Sequence, residues 1–275
     1  MGVLQSPPDA DPKLVTVTVE RAGATAIITL AQADGRNAVD AAAAEALSAA
    51  FAAVETDPDV RVGVLAGGRR VFCIGADLSI PPDQLLRPRN SPVDRDGFGF
   101  AGLVFRPRRK PLIAAVEGLA VGGGFELALA CDLIVASSRA RFSLPEVRRG
   151  LLAASGGAIR LPRQIPRKIA LEMLLTGQSL SAERLAHLGL INEVVEPGSA
   201  LTAALRLAEL IVPGAPDAIA HTLAVAAHDD LNAIGAASEL QLNALEQLVD
   251  AGVVAEGIAA FEGRRRPAWD APTTP

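Results

Sequence analysis

The sequence predicts an α/β fold with a mostly parallel sheet, and three observations carry that prediction. Apolar runs such as VRVGVLA (60–66) and LIAAVEGLAV (112–121) lack the polar alternation of half-exposed strands, so both of their faces are expected to be covered. Helical segments separate these runs, and strand, helix, strand in that order implies right-handed crossover units. The 275 residues, 50% of them hydrophobic, suffice for one sizeable core with a small helical subdomain appended.

Element by element, residues 13–20 (KLVTVTVE) alternate branched and polar side chains. With residues 24–30 (ATAIITL), which follow Ala22-Gly23, they predict a hairpin. Asp40 is placed to cap an alanine-rich helix ending near Glu55. Residues 60–66 form the next strand, closed by Gly67-Gly68. Residues 79–111 cluster proline, arginine and aspartate, with a short helix expected around 93–105. So long a segment between regular elements reads as a lid or binding segment, and selectivity is expected to reside there. Residues 112–137 read as a buried strand, a triple-glycine turn, a helix and a second buried strand. ARFS (140–143) and a helix started by Gly156 follow. From residue 199 the pattern is nearly all helical: about 200–211, 216–227, 231–249 and 254–261. Leu240, Leu242, Leu245 and Leu248 carry more apolar surface there than a small helical subdomain buries alone. Residues 268–275 are expected to fray.

Composition narrows the function. The 31 acidic and 26 basic residues give a net charge of −5, against a general nucleic-acid binder. Tyrosine is absent, which removes phenols as proton donors. Cys73 and Cys131 are too few for a disulfide framework and not spaced as a metal clip, which favours a reducing compartment and a cytoplasmic location. Both read as small core residues. The three histidines suggest no metal site. Residues 1–12 lack a basic start followed by an apolar run and read as a loose tail. Residues 112–137 have the length of a membrane span, but Glu117, Glu126, Asp132 and three consecutive glycines oppose that reading, so no membrane partner is expected.

The chemistry concentrates at Gly122-Gly123-Gly124, where a helix start offers unpaired N–H groups and partial positive charge. Such a turn can hold a developing oxyanion, with Glu126 about one turn inside as acid or base. Equally, the glycines can serve only tight helix–strand packing, with Glu126 facing water.

Three segments in fixed order resemble the crotonase superfamily, in particular the enoyl-CoA hydratases. They are FCIGADL (72–78), AVGGGFELALACDLIVAS (120–137) and FSLPEVRRGLLAASGGAIRLPRQIP (142–166). Supporting similarity runs from GRNAVD (35–40) through LLTGQSLSAERLAHLGLINEVV (174–195) to FEGRRRP (261–267), covering nearly the whole chain.

That resemblance implies a crotonase (ClpP/crotonase-type) spiral of ββα units with two roughly perpendicular sheets. It divides the chain into a disordered tail (1–12), a spiral core (13–198) and a C-terminal helical trimerisation region (199–275). The backbone N–H groups of Ala76 and Gly123 would form the oxyanion hole for an acyl-CoA thioester. Glu126 and Glu146 would be the catalytic pair, one taking a proton from the attacking water and the other protonating the α-carbon; their division of labour stays open. The CoA portion would lie near Arg36, Ala38, Val39, Gly122 and the backbone of Ala76, Asp77, Leu78 and Ser79. Arg36 is a phosphate partner or a solvated surface arginine, and the cluster Arg106, Arg108, Arg109 and Lys110 reads as a hydrated exposed run, with help to the phosphates as the alternative.

The implied activity is reversible hydration of a 2-enoyl-CoA, as in the β-oxidation of fatty acids, by a homotrimer or dimer of trimers. No cofactor or metal is expected, since CoA is part of the substrate. Two alternatives stand beside it: another acyl-CoA isomerase, lyase or hydrolase on the same scaffold, and a catalytically silent acyl-CoA-binding protein. The sequence departs from the family pattern at Ile74 beside the oxyanion turn, at Gln32 and Asp34, at Ala154-Ser155, and throughout residues 79–111.

Overall fold

The computed structural model describes residues 17–80, 93–94 and 97–269. The tail at 1–12 and the start of the first expected strand lie outside them. Strand β1 (Val17–Ala22) turns at Gly23, φ 62°, into β2 (Thr25–Leu30), and the two pair antiparallel from Ala22↔Thr25 to Val17↔Leu30. β3 (Ala38–Val39) leads into α1 (Ala41–Thr56), where the Asp40 carboxylate accepts the Ala43 N–H at 2.7 Å. A cap of this kind stabilises a helix by about 1 kcal/mol. β4 (Val62–Ala66), β5 (Val71–Cys73) and β6 (Gly75–Ala76) follow.

Asn37 ties these pieces together. Its φ is 53° and it is 1% exposed. Its Oδ1 accepts the Gln32 N–H at 2.9 Å, and its Nδ2 donates to the carbonyls of Leu30, Val71 and Phe72 at 3.0 to 3.1 Å. One buried amide therefore joins the end of β2 to β5.

The described part of residues 79–111 forms turns and an isolated bridge between Asp94 and Phe100, where a helix was expected around 93–105. Gly97, Gly99, Ala101 and Gly102 all have positive φ, which no helix accommodates. Of the basic cluster, Arg109 is 68% exposed as a hydrated run predicts, but Arg108 and Lys110 are not hydrated side chains. Arg108 meets Asp132 at 2.5 and 2.8 Å and donates to the Ala130 carbonyl, while Lys110 Nζ donates to the Val54 and Asp57 carbonyls at the end of α1. These cations satisfy helix C-termini that the sequence left without caps.

The apolar stretch 112–121 is two strands, β7 (Leu112–Val116) and β8 (Leu119–Val121), in different sheets. Gly118 divides them by packing on Arg70, since a Cβ there would stand 2.1 Å from the Arg70 carbonyl oxygen. α2 (Gly123–Ala130), β9 (Leu133–Ser137) and β10 (Arg141–Ser143) come next, then a 3₁₀ turn (Glu146–Arg149) and α3 (Gly157–Gln164). α4 (Arg167–Thr176), β11 (Leu180–Ser181), α5 (Ala182–His187) and β12 (Glu193–Val195) complete the mixed region. The chain ends in α6 (Ala200–Ile211), α7 (Pro216–Asp250) and α8 (Val253–Glu262). α7 is one helix of 35 residues where two were expected, because no proline or capping turn interrupts residues 228–230.

The six-stranded sheet runs β1-β2-β4-β7-β9-β12, parallel beyond the opening hairpin. The four-stranded sheet runs β11-β10-β8-β5, and β3 pairs with β6 in parallel. Successive strands thus alternate between sheets before a helix returns the chain, as in β7, β8, α2 and again β9, β10, α3. Both faces of the large sheet are covered: Val62, Val64, Ile113 and Val135 pack on Ala203, Ala204 and Ala208 of α6, while Ile28, Leu65 and Ala114 join the core that contains Leu47 and Phe51 of α1. Among the described residues no single helix is long and apolar enough to cross a membrane.

Candidate active site

The site begins where β6 presses on the start of α2. Gly75 has φ 91°, a conformation L side chains rarely adopt, and a Cβ on it would stand 2.9 Å from the Gly123 nitrogen and 3.2 Å from the Val121 oxygen. A Cβ on Gly124 would meet the Cys73 oxygen at 2.0 Å. Only glycines allow these backbones to touch. Gly123 is the first residue of α2, so its N–H has no acceptor within the helix. The Asp77 N–H donates to the Val39 carbonyl at 2.9 Å, so the preceding Ala76 N–H turns away from β3. Ala76 and Gly123 both line one cavity of about 660 Å³.

Two carboxyls line the same cavity. Glu126 is 3% exposed, and its Oε1 accepts the Gly157 N–H at 2.8 Å from the start of α3. Burial, then the neighbouring Glu146, raises its pKa well above the ordinary carboxylate range, against the opposing pull of the Gly157 N–H, Arg160 and the Ser155 N–H. Glu146 is half-buried, yet its Oε2 has no solvent contact and no hydrogen-bond partner among the described residues. Its Oε1 packs on Gly122, where a Cβ would stand 3.0 Å away. Burial raises its pKa too, opposed by its own N–H and by Arg149. Each carboxyl therefore holds a proton more tightly than in water, as acid–base work near neutral pH requires. The bland reading of Glu126 as a water-facing helix residue is excluded by its burial.

The expected CoA-side residues Arg36, Ala38, Ala76, Asp77, Leu78, Ser79 and Gly122 all line the cavity, and Val39 does not. Val39 is fully buried in the core because strand alternation turns its side chain opposite to that of Ala38. Arg36 is 71% exposed and holds Asp34 at 2.7 Å, so the unusual Asp34 is its partner. Ile74 contributes to the wall. The structure adds residues that the sequence assigned no role in a site: Phe100, Arg149, Leu151, Leu152 and Phe261, together with Leu245, which was expected instead to add apolar surface for subunit packing. Leu245 comes from α7, where it is buried at 7% exposure, and Phe261 comes from α8, within the FEGRRRP segment.

Comparison with known proteins agrees with this architecture. The enoyl-CoA hydratase/isomerase family model matches residues 20–272. The chain is 39% identical to the (E)-benzylidenesuccinyl-CoA hydratase of Thauera aromatica, over 92% of this chain and 98% of that one. It is 37% identical to the carnitinyl-CoA dehydratase of Proteus mirabilis, over 85% and 90% respectively. Among solved structures, a carnitinyl-CoA dehydratase from Mycobacterium avium superposes with a TM-score of 0.84 at 42% identity, covering 94% of this chain and 99% of the other. An enoyl-CoA hydratase from Mycobacterium tuberculosis gives 0.72 at 41% identity, covering 93% and 98%.

Proposed function

This chain belongs to the enoyl-CoA hydratase/isomerase family of the crotonase superfamily, and we propose that it adds water reversibly across the double bond of a 2-enoyl-CoA thioester. The observation that carries this reading is the pair Glu126 and Glu146, both with raised proton affinity, on one cavity with Ala76 and Gly123. Relatives at 39% and 37% identity are named a hydratase and a dehydratase, the two directions of water addition.

In this mechanism the thioester oxygen accepts the Ala76 and Gly123 N–H groups. Attack of water on the β-carbon drives negative charge onto that oxygen as an enolate, and fixed donors in a dry site favour the charged state over the neutral substrate. One glutamate takes the proton of the attacking water, and the other delivers a proton to the α-carbon. The pair titrates as a unit, so the two roles belong to the pair. The CoA moiety follows Ala38 and the Asp77, Leu78 and Ser79 backbone, with Arg36 as phosphate partner.

The trimer, or dimer of trimers, is part of the same proposal. Leu240 is 72% exposed and Val225 79% exposed on α7, an apolar surface that subunit packing would cover. A reducing, cytoplasmic setting fits two free thiols that are both buried. Loss of the conjugated-thioester absorbance of crotonyl-CoA, with a product heavier by one water, is the expected result. A panel of straight, branched and aromatic enoyl-CoAs that all remain unhydrated would refute the reading, and a shifted double bond without added water would assign an isomerase.

A further inference from the structure

Glu146 and Arg149 are the first and last residues of the 3₁₀ turn, and side chains three apart in a 3₁₀ helix eclipse each other. The two therefore project from one face, and both line the cavity. Phe261 of α8 fixes the guanidinium, with Arg149 Cζ 4.3 Å from the ring centroid. Gly257 of the same helix lets the backbones meet, since a Cβ there would stand 2.2 Å from the Arg149 carbonyl oxygen. Arg149 Nε is buried and has no hydrogen-bond partner among the described residues. A donor desolvated without a partner is costly to keep, and it is satisfied when a ligand brings the acceptor.

We propose that Arg149 receives a carboxylate carried on the acyl group, so that the substrates are CoA monothioesters of unsaturated dicarboxylic acids. The inference rests on the hydratase reading above. With the thioester oxygen at Ala76 and Gly123, the alkene lies against Glu126 and Glu146, and the acyl atoms beyond Glu146 reach Arg149. Leu151, Leu152 and Leu245 in the same wall are apolar and offer no competing donor. A guanidinium presents a planar fork that matches a carboxylate with two parallel hydrogen bonds. The phosphates of CoA are the other anions such a ligand carries, and Arg36, on the separate β3 side, is the cation near their expected place.

Calorimetry with saturated ligands separates binding from chemistry. The probes are adipyl-CoA against hexanoyl-CoA, glutaryl-CoA against pentanoyl-CoA, and CoA alone. The wild-type chain is expected to bind the dicarboxylic member of at least one pair roughly 10- to 100-fold more tightly, the range for a hydrogen bond to a charged group. Arg149→Met is expected to bring that ratio within about threefold, and Arg149→Lys to restore part of it. Equal binding of both members by the wild type overturns the proposal without any variant. A matching loss of affinity for CoA alone in Arg149→Met places the side chain on a phosphate and overturns it as well. A preference that persists in binding, with no hydration of 2-hexenedioyl-CoA or 2-hexenoyl-CoA, defeats the hydratase reading and leaves the carboxylate contact standing.

Discussion

Gly75→Ala tests the paired N–H groups directly. The added methyl meets the Gly123 nitrogen at 2.9 Å and the Val121 oxygen at 3.2 Å, and both neighbours are backbone that cannot swing aside. An alanine at φ 91° also stores strain of about 1–3 kcal/mol. Unfolding entropy of about 2.1 cal/mol/K per residue makes that a fall in Tm of about 2–5 °C for this chain. Turnover should suffer far more than stability. In the proposed mechanism, moving Gly123 off the thioester oxygen removes one of two oxyanion donors, typically 10²–10³ in kcat, or about 3–4 kcal/mol. Thermal melts followed by circular dichroism, beside crotonyl-CoA hydration rates at a temperature where both proteins are folded, separate the two effects. A variant that melts lower as expected yet keeps kcat within about threefold of wild type would show that these amides do not hold the reacting oxygen.

Further outcomes follow from the same geometry. Glu126→Gln and Glu146→Gln should each lower turnover by at least about 100-fold while changing the Kd for a saturated acyl-CoA little, since general acid–base groups contribute roughly 10² to 10⁴; near-normal turnover in both variants removes the mechanism. Both carboxyls have folded-state pKa values raised above their unfolded ones. Stability linked to them is therefore fully present below about pH 4 and is lost as pH rises through the raised values. Glu126→Gln should accordingly melt higher than wild type at pH 8 and match it near pH 4, and an identical melting curve at both pH values would contradict the burial argument. Asn37→Asp sets a carboxylate against three carbonyl oxygens within 3.1 Å and should cost about 3 kcal/mol in urea denaturation; a loss below about 1 kcal/mol would mean that this buried amide does not join β2 to β5.

Patterning of the chain announced most elements because their causes are local. Asp40 caps α1 through its own third neighbour, and the hairpin of residues 17–22 and 25–30 needs only the Gly23 turn. Failures occurred where distant partners decide. Gly118 reads as a weak interruption in an apolar run until Arg70 is found against it, and that contact sends β8 into another sheet. Arg108 and Lys110 look like a solvated charge cluster until the ends of α2 and α1 supply their acceptors. The positive φ of four residues between 97 and 102 turned an expected helix into turns around Phe100, which reaches the cavity.

The sequence by itself determined the α/β class and the helix start at the triple glycine, because periodicity and turn chemistry are properties of neighbouring residues, and its resemblance to the crotonase superfamily pointed to the two glutamates worth testing. Only the tertiary structure decided that Glu126 and Glu146 share one cavity with Ala76 and Gly123, that Val39 belongs to the core, and that Arg149 lines the same cavity with a donor unmet among the described residues. Those relations depend on solvent exclusion and on contacts between segments tens of residues apart, and no local pattern encodes which groups will be stripped of water together.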